Sequence, residues 1–378
     1  MVSKRTLVAL LALFSAGCDS ASKPLWPGSK YTEADRLNAM KRAIDFIARS
    51  AANQKNFQAQ ASDYLSCFYS IADTARDQEL RSTADRLAHE TARRWAKLYP
   101  TVPAKASAND IADLVFGWLP ASELGVSDAS VKPALRAAAA RYKPEDFIEF
   151  DPAKEPPPSD VPAACKFDGA WNHRGATVCR KCGRPLDMRN RYDVWMDALI
   201  STYTGERYGI LLGGRYRDVV QWLPTMRPYL ERSQTDYGTY IDTVYSITHL
   251  VYTLNDYGRY LLPRDLLPTE YNYLRSNLKE SIALKDPETT GEFLDTLRSF
   301  GLDNSDPVIQ TGVSYLMTRQ RPDGSWAHPA ETDAYTLYHA AWTGIDGLKE
   351  IAWRGQNLSF PDIRPVLERA RPHPQPMR

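Results

Sequence analysis

The stretch 239–257 sets Asp242, Tyr245, His249, Tyr252 and Asp256 at recurring helical spacings. Side chains three and four apart share one face of a helix. That face therefore carries carboxylates, phenols and an imidazole where a core helix would carry Leu and Val. Histidine exchanges protons near neutral pH, and imidazole with carboxylate also suits a divalent metal. A second histidine, His339, stands in a later helical stretch. If both histidines face one hollow, they meet there with Asp242 as a third ligand or a general base. Asp242, His249 and His339 are the expected catalytic residues. The plainer alternative makes both histidines hydrogen-bonded core residues and the tyrosines packing groups. Asp193 and Asp197 lie four apart, which fits paired carboxylates for glycoside chemistry or an ordinary solvated face. His328 and Glu331 sit in a loop and either rim a cavity or supply loop polarity. No Walker loop, dinucleotide fingerprint, Gly-x-Ser-x-Gly or His-Glu-x-x-His sequence occurs.

Three cysteines cluster in the middle of the chain. Cys179-Arg180-Lys181-Cys182-Gly183 resembles one knuckle of a zinc ribbon, two thiolates on a tight turn that glycine allows to reverse. Cys165 and His173 would complete a closed, four-ligand structural zinc site, a sensible staple for an insert with little core of its own. A disulfide from Cys165 to Cys179 or Cys182 is the first alternative, since an exported chain meets oxidising conditions. A redox Cys-x-x-Cys is the second, without the βαβ pattern that would support it. Cys67, beside Leu65 and Phe68, reads as a small buried hydrophobe.

Helical periodicity dominates the elements that must position these groups. Thr32 caps a first helix whose apolar face runs through Leu37, Met40, Ala43, Ile44 and Ile47. Further helices are expected at 59–75, 78–98, 107–118, 128–142, 191–203, 216–232 (broken near Pro224), 239–256, 269–283, 291–300, 306–318 and 332–352. Tyr99-Pro100 ends the third, because a residue before proline leaves the helical region. The run 151–158 is too proline-rich for helix or central strand, and no alternating run is long enough for a sheet. The expected class is all-α, about twelve helices pairing as hairpins.

Gly312-Val313-Ser314-Tyr315-Leu316-Met317-Thr318-Arg319-Gln320-Arg321-Pro322-Asp323-Gly324-Ser325-Trp326 resembles the QW repeat of terpene cyclases and protein prenyltransferase β subunits. In that family glutamine ties one helix end to the next and tryptophan stacks against it. The stretch from Asp333 to Leu348, with Tyr338-His339, is similar to a prenyltransferase segment and puts His339 on that family's zinc-binding histidine. The resemblance covers about forty residues and implies an α/α toroid, six helical hairpins around a central cavity. It does not carry the activities over. No cysteine follows Cys182 to supply the Asp-x-Cys ligands, and neither Asp-x-Asp-Asp nor Asp-Asp-x-x-Asp occurs. The motif is structural and says little about chemistry.

The first 17 residues join a positive start, Lys4-Arg5, to a short apolar run and small residues before Cys18, the pattern of a signal peptide. The junction resembles the lipobox of bacterial lipoproteins, with Ser15 where leucine is usual. It implies cleavage before Cys18, a lipid on that thiol and a membrane tether. Asp19 resembles the signal that retains such proteins at the inner membrane, which implies the periplasmic face. The expected organisation is a signal peptide at 1–17, a tether at 18–30, helical halves at 31–150 and 189–356, the proline-rich linker and cysteine insert at 151–188, and a tail at 357–378. A net charge of +1 from 47 basic and 46 acidic residues argues against nucleic-acid binding. The 21 tyrosines and 9 tryptophans suit a pocket for apolar or cyclic ligands. Three functions follow: a tethered toroid that binds or processes an apolar, polyprenyl-like molecule; a helical-barrel carbohydrate-active enzyme; and a non-enzymatic envelope scaffold.

Overall fold

The computed structural model describes residues 23–327 and 330–371. The leader, Cys18, Asp19, His328 and the last residues of the tail lie outside the described residues. The chain is mostly helical, as its periodicity predicts. Its helices are α1 (Glu33–Ala52), α2 (Gln54–Thr74), α3 (Gln78–Leu98), α4 (Ala108–Glu123), α5 (Val131–Ala139), α6 (Pro144–Ile148), α7 (Arg191–Tyr208), α8 (Tyr216–Val220), α9 (Leu223–Met226), α10 (Tyr237–Leu254), α11 (Pro268–Ala283), α12 (Pro287–Ser299), α13 (Pro307–Arg319), α14 (Ala334–Leu348) and α15 (Arg364–Arg369). Among the described residues the only sheet pairs β1 (Val161–Pro162) with β2 (Met188–Arg189), antiparallel. This short clasp closes the base of the cysteine insert.

Local chemistry starts these helices where the side chains can bond free backbone N–H groups. Thr32 and Asp35 form a capping box at α1, and Ser107 with Asp110 forms one at α4. Asp286 and Asp306 each cap a helix whose first residue is proline, a position that needs no donor. The expected helix at 59–75 begins earlier, at Gln54, because Asn53 caps it, and Gln60 then kinks it with non-helical angles. The expected 216–232 helix is two short pieces, α8 and α9, followed by extended chain.

Helices α2, α4, α7, α10, α12 and α14 contact one another in succession, and α14 returns to α2. Around them, α1 packs on α14 and α2, α3 on α2 and α4, α5 on α4, α8 on α7, α11 on α12, and α13 on α12 and α14. Every residue of α12 from Thr289 to Ser299 is buried, as expected of a helix enclosed on all sides. Gly291 permits its contact with α14: a Cβ there would lie 2.3 Å from the Thr343 carbonyl oxygen.

The Gln320 amide donates to the Ala39 carbonyl of α1 at 2.7 Å and to the Gly324 carbonyl at 3.1 Å. The buried Trp326 indole donates to the Leu316 carbonyl at 2.8 Å. Gln320 thus ties the end of α13 to α1, and Trp326 folds the following loop back onto α13.

Candidate active site and metal centre

A cavity of about 240 Å³ opens among the successive helices. Asp63, Tyr69 and Asp73 reach it from α2, Phe116 and Glu123 from α4, Tyr203 and Arg207 from α7, His249 from α10, and Tyr335, His339 and Trp342 from α14. Asp256, Tyr257 and Arg259 enter from the turn after α10. His249 and His339 therefore line one hollow.

The two imidazoles are held differently. His339 Nδ1 bonds Glu288 Oε1 on α12 at 3.0 Å, and Tyr245 donates to the same oxygen at 2.8 Å. Tyr335 stacks on the His339 ring, with centroids 5.1 Å apart. Burial works against the charge on His339, but Glu288, with Glu292 and Asp63 adding to it, outweighs burial and raises the pKa to about 9. The imidazolium in turn holds Glu288 below the usual glutamate range, against the desolvation that would raise it.

His249 donates from Nδ1 to its own-helix Tyr245 carbonyl at 2.9 Å, which leaves Nε2 as the unprotonated nitrogen. Burial, then repulsion from His339, pushes its pKa down to about 4. Burial raises Asp63, while His339 and the Tyr338 hydroxyl, donating at 3.1 Å, pull the other way. Glu292 accepts from Thr248 at 2.6 Å, and burial raises it to about 8.

The opposite end of the cavity is a closed ion network. Arg259 binds Asp73 at 2.7 Å, Asp256 at 2.9 Å and Glu123 at 2.9 Å. Arg207 adds a second contact to Glu123 at 3.0 Å, and Arg354 binds Asp73. These cations are already neutralised by carboxylates, so this end serves as wall.

Asp242 lies elsewhere. It sits seven residues before His249 on α10, two turns along, and accepts from the Asn190 amide at 2.5 Å. Burial, reinforced by Asp193, raises it to about 6. It is not among the residues that line the cavity, nor do Asp242, His249 and His339 form a metal-ligating cluster among the described residues. Asp193 and Asp197 do not form a free pair. Arg189 binds Asp193 at 2.6 Å, Glu149 at 2.8 Å, and Asp197.

The sequence reading missed Asp63, Glu288 and Glu292. A polar residue on an amphipathic helix reads as solvent-facing, and nothing local marks it as inward.

In the insert, Cys165, Asp168, Cys179 and Cys182 place one ligand atom each within 4.8 Å of all the others and could hold a metal ion. Cys165 Sγ and Cys182 Sγ are 3.6 Å apart, and Cys179 Sγ is 3.6 Å from Asp168 Oδ1. A tetrahedron of roughly 2.3 Å metal–sulfur bonds needs about 3.8 Å between donors, whereas a disulfide needs about 2.05 Å. All four described cysteines are free.

The fourth donor is a correction to the expected set: Asp168 occupies the place assigned to His173, which is exposed on the next loop. The reason lies in the backbone. Cys165-Lys166-Phe167-Asp168-Gly169 forms a second knuckle like that at Cys179. Gly169 N–H donates to the Cys165 carbonyl at 2.7 Å, and Gly183 N–H to the Cys179 carbonyl at 2.8 Å. Both glycines take positive φ, 68° and 70°. Cys165 N–H donates to Ala170 O at 3.0 Å, and Cys179 N–H to Arg184 O at 2.7 Å. The two turns thus repeat one geometry, with aspartate replacing one cysteine.

Compared with known proteins, the chain matches no protein-family model, no curated protein and no solved structure.

Proposed function

We propose that the protein is a carbohydrate-active enzyme whose central cavity performs general acid–base chemistry on a hydroxylated ring substrate. The observation that carries this reading is the pair of imidazoles lining one cavity with pKa values driven apart. Groups whose environments separate their pKa values divide into acid and base. His339, held protonated by Glu288, is the acid. His249, neutral with Nε2 open, is the base, and Asp63 stands beside His339 as a further carboxylate. Tyr335, Trp342 and Phe116 offer flat faces to a sugar ring. An apolar, polyprenyl-like ligand would strip water from Asp63 and the His339–Glu288 pair without replacing its hydrogen bonds, a cost of several kcal/mol. A sugar replaces those bonds.

The test is turnover and binding with a panel of oligosaccharides, beside an isoprenoid diphosphate. Saccharide turnover is expected, and His339→Gln should lower kcat by about 10²- to 10⁴-fold with little change in binding. Binding of the isoprenoid alone would overturn the reading.

The reading includes an α/α toroid, with α2, α4, α7, α10, α12 and α14 as the inner ring and α1, α3, α5, the broken 216–226 segment, α11 and α13 outside. The unbroken cycle of helix neighbours and the Gln320 and Trp326 ties support it. It also includes structural zinc on Cys165, Asp168, Cys179 and Cys182, for which a closed four-donor set rich in thiolate is the supporting chemistry.

A lipid on Cys18 would tether the domain at the periplasmic face of a bacterial membrane. Among the described residues no helix is long and apolar enough to cross a membrane. Cys18→Ser should move the protein from the membrane to the soluble fraction, and retention would reject the anchor.

A further inference from the structure

We propose that the cysteine insert supplies an outer saccharide subsite, with Trp171 as its platform, at the rim of the central cavity. The inference rests on the carbohydrate reading and adds a polymeric substrate to it.

A groove of about 740 Å³ runs between the insert loop and helices α4, α6 and α7. Trp171 and His173 line one side, and Asp113, Glu149 and Asp197 the other. Phe116 and Ile200 line both this groove and the central cavity, so the two adjoin.

Trp171 is 52% exposed and offers a flat ring face to a ligand in the groove. It is not on a slack loop. On its amino-terminal side, Ala170 is locked into the first knuckle by the Cys165 N–H bond at 3.0 Å. On its carboxyl-terminal side, the Asn172 carbonyl oxygen of the side chain accepts from the Arg180 N–H of the second knuckle at 2.8 Å. Arg174 is clamped to Glu155 and Asp160, both at 2.7 Å. The metal ligands and the platform are therefore parts of one small rigid unit.

The facing wall suits hydroxyl groups. Glu149 and Asp197 are fixed by Arg189, and Asp113 is raised to about 6 by burial, with Asp110 and Asp63 adding to it. An aromatic face opposite fixed carboxylates binds both surfaces of a sugar ring, the apolar C–H side and the hydroxyl edge. A chain of several sugars would thread from this groove to the histidines.

The experiment is calorimetric titration of the zinc-loaded full chain with disaccharides and hexasaccharides of N-acetylglucosamine, glucose and mannuronate. The wild-type protein should bind its preferred hexasaccharide about tenfold or more tighter than the disaccharide. Trp171→Ala should abolish that gain and leave the disaccharide Kd unchanged, whereas Trp171→Phe keeps most of it. Asp168→Ala should lose zinc, measured directly, and the same gain. Equal wild-type Kd values for the two lengths, or an unaltered hexasaccharide Kd in Trp171→Ala, overturn the outer subsite while leaving the cavity reading intact. A wild-type protein that binds no saccharide overturns both.

Discussion

Of the two imidazoles on the cavity wall, only His339 has a carboxylate against it, and this difference makes their pH behaviour opposite. If His339 donates and His249 accepts a proton, kcat/KM should rise through about 4 as His249 becomes neutral and fall through about 9 as His339 loses its proton. Glu288→Gln should shift the alkaline limb to lower pH. A profile with an unmoved alkaline limb would assign that limb to another group.

Stability follows the same shifts. The folded pKa of His339 lies above its unfolded value of about 6.5, so its contribution is complete below that pH and is lost as pH rises through about 9. The folded pKa of His249 lies below, so its contribution is present above about 6.5 and is lost as pH falls toward about 4. Urea midpoints measured across this range should fall toward both ends, and His249→Gln should flatten the acid side alone.

At the metal centre, Asp168→Ala should lose its zinc, because three thiolates leave the closed site one donor short, and His173→Ala should leave one equivalent bound. Loss of metal in His173→Ala would restore the histidine as ligand.

Between elements, glycine permits close contact at several places, two of them on the faces of α12 and α14. Where α12 meets α14, a Cβ on Gly291 would meet the backbone of Thr343 at 2.3 Å and could not be relieved by a rotamer change. Gly291→Ala is expected to cost about 1–3 kcal/mol and, because α12 carries Glu288, to disturb the His339 contact as well. A Cβ on Gly344 would lie 2.4 Å from the Trp326 ring, so Gly344→Ala should strain the join between α13 and α14 as well. Urea denaturation of each variant measures the cost, and wild-type midpoints would show that the helices can move apart freely.

On the scale of the whole molecule, Arg259 joins distant parts of the chain. Asp73 on α2, Glu123 on α4 and Asp256 after α10 converge on one guanidinium, which closes one end of the cavity. Arg259→Gln would remove the cation shared by all three carboxylates and leave Arg354 on Asp73 and Arg207 on Glu123 and Asp256, so the cost should fall below the roughly 3–5 kcal/mol of an isolated buried pair. The variant should unfold at lower denaturant. Its loss should shrink as acid protonates the carboxylates, which separates a charge effect from lost packing.

The helices, their capping residues and the cysteine knuckle were legible in the sequence because each depends on neighbours within a few positions. Helical spacing follows from apolar period, caps from Thr32 and Ser107, and the turn at Cys179 from Gly183. Histidine type likewise singled out His249 and His339, which line one cavity.

The spacing argument failed for Asp242. Seven residues return a side chain to nearly the same face but carry it about 10 Å along the axis, beyond the cavity and into the Asn190 contact. It also passed over Asp168, since an aspartate in a turn has many uses and only the repeated knuckle geometry turns its carboxylate toward three thiols. The chain's order therefore determined which groups could do chemistry. The packing of α12 against α10 and α14 decided which histidine meets a carboxylate, because charge pairing depends on distances between helices far apart in sequence.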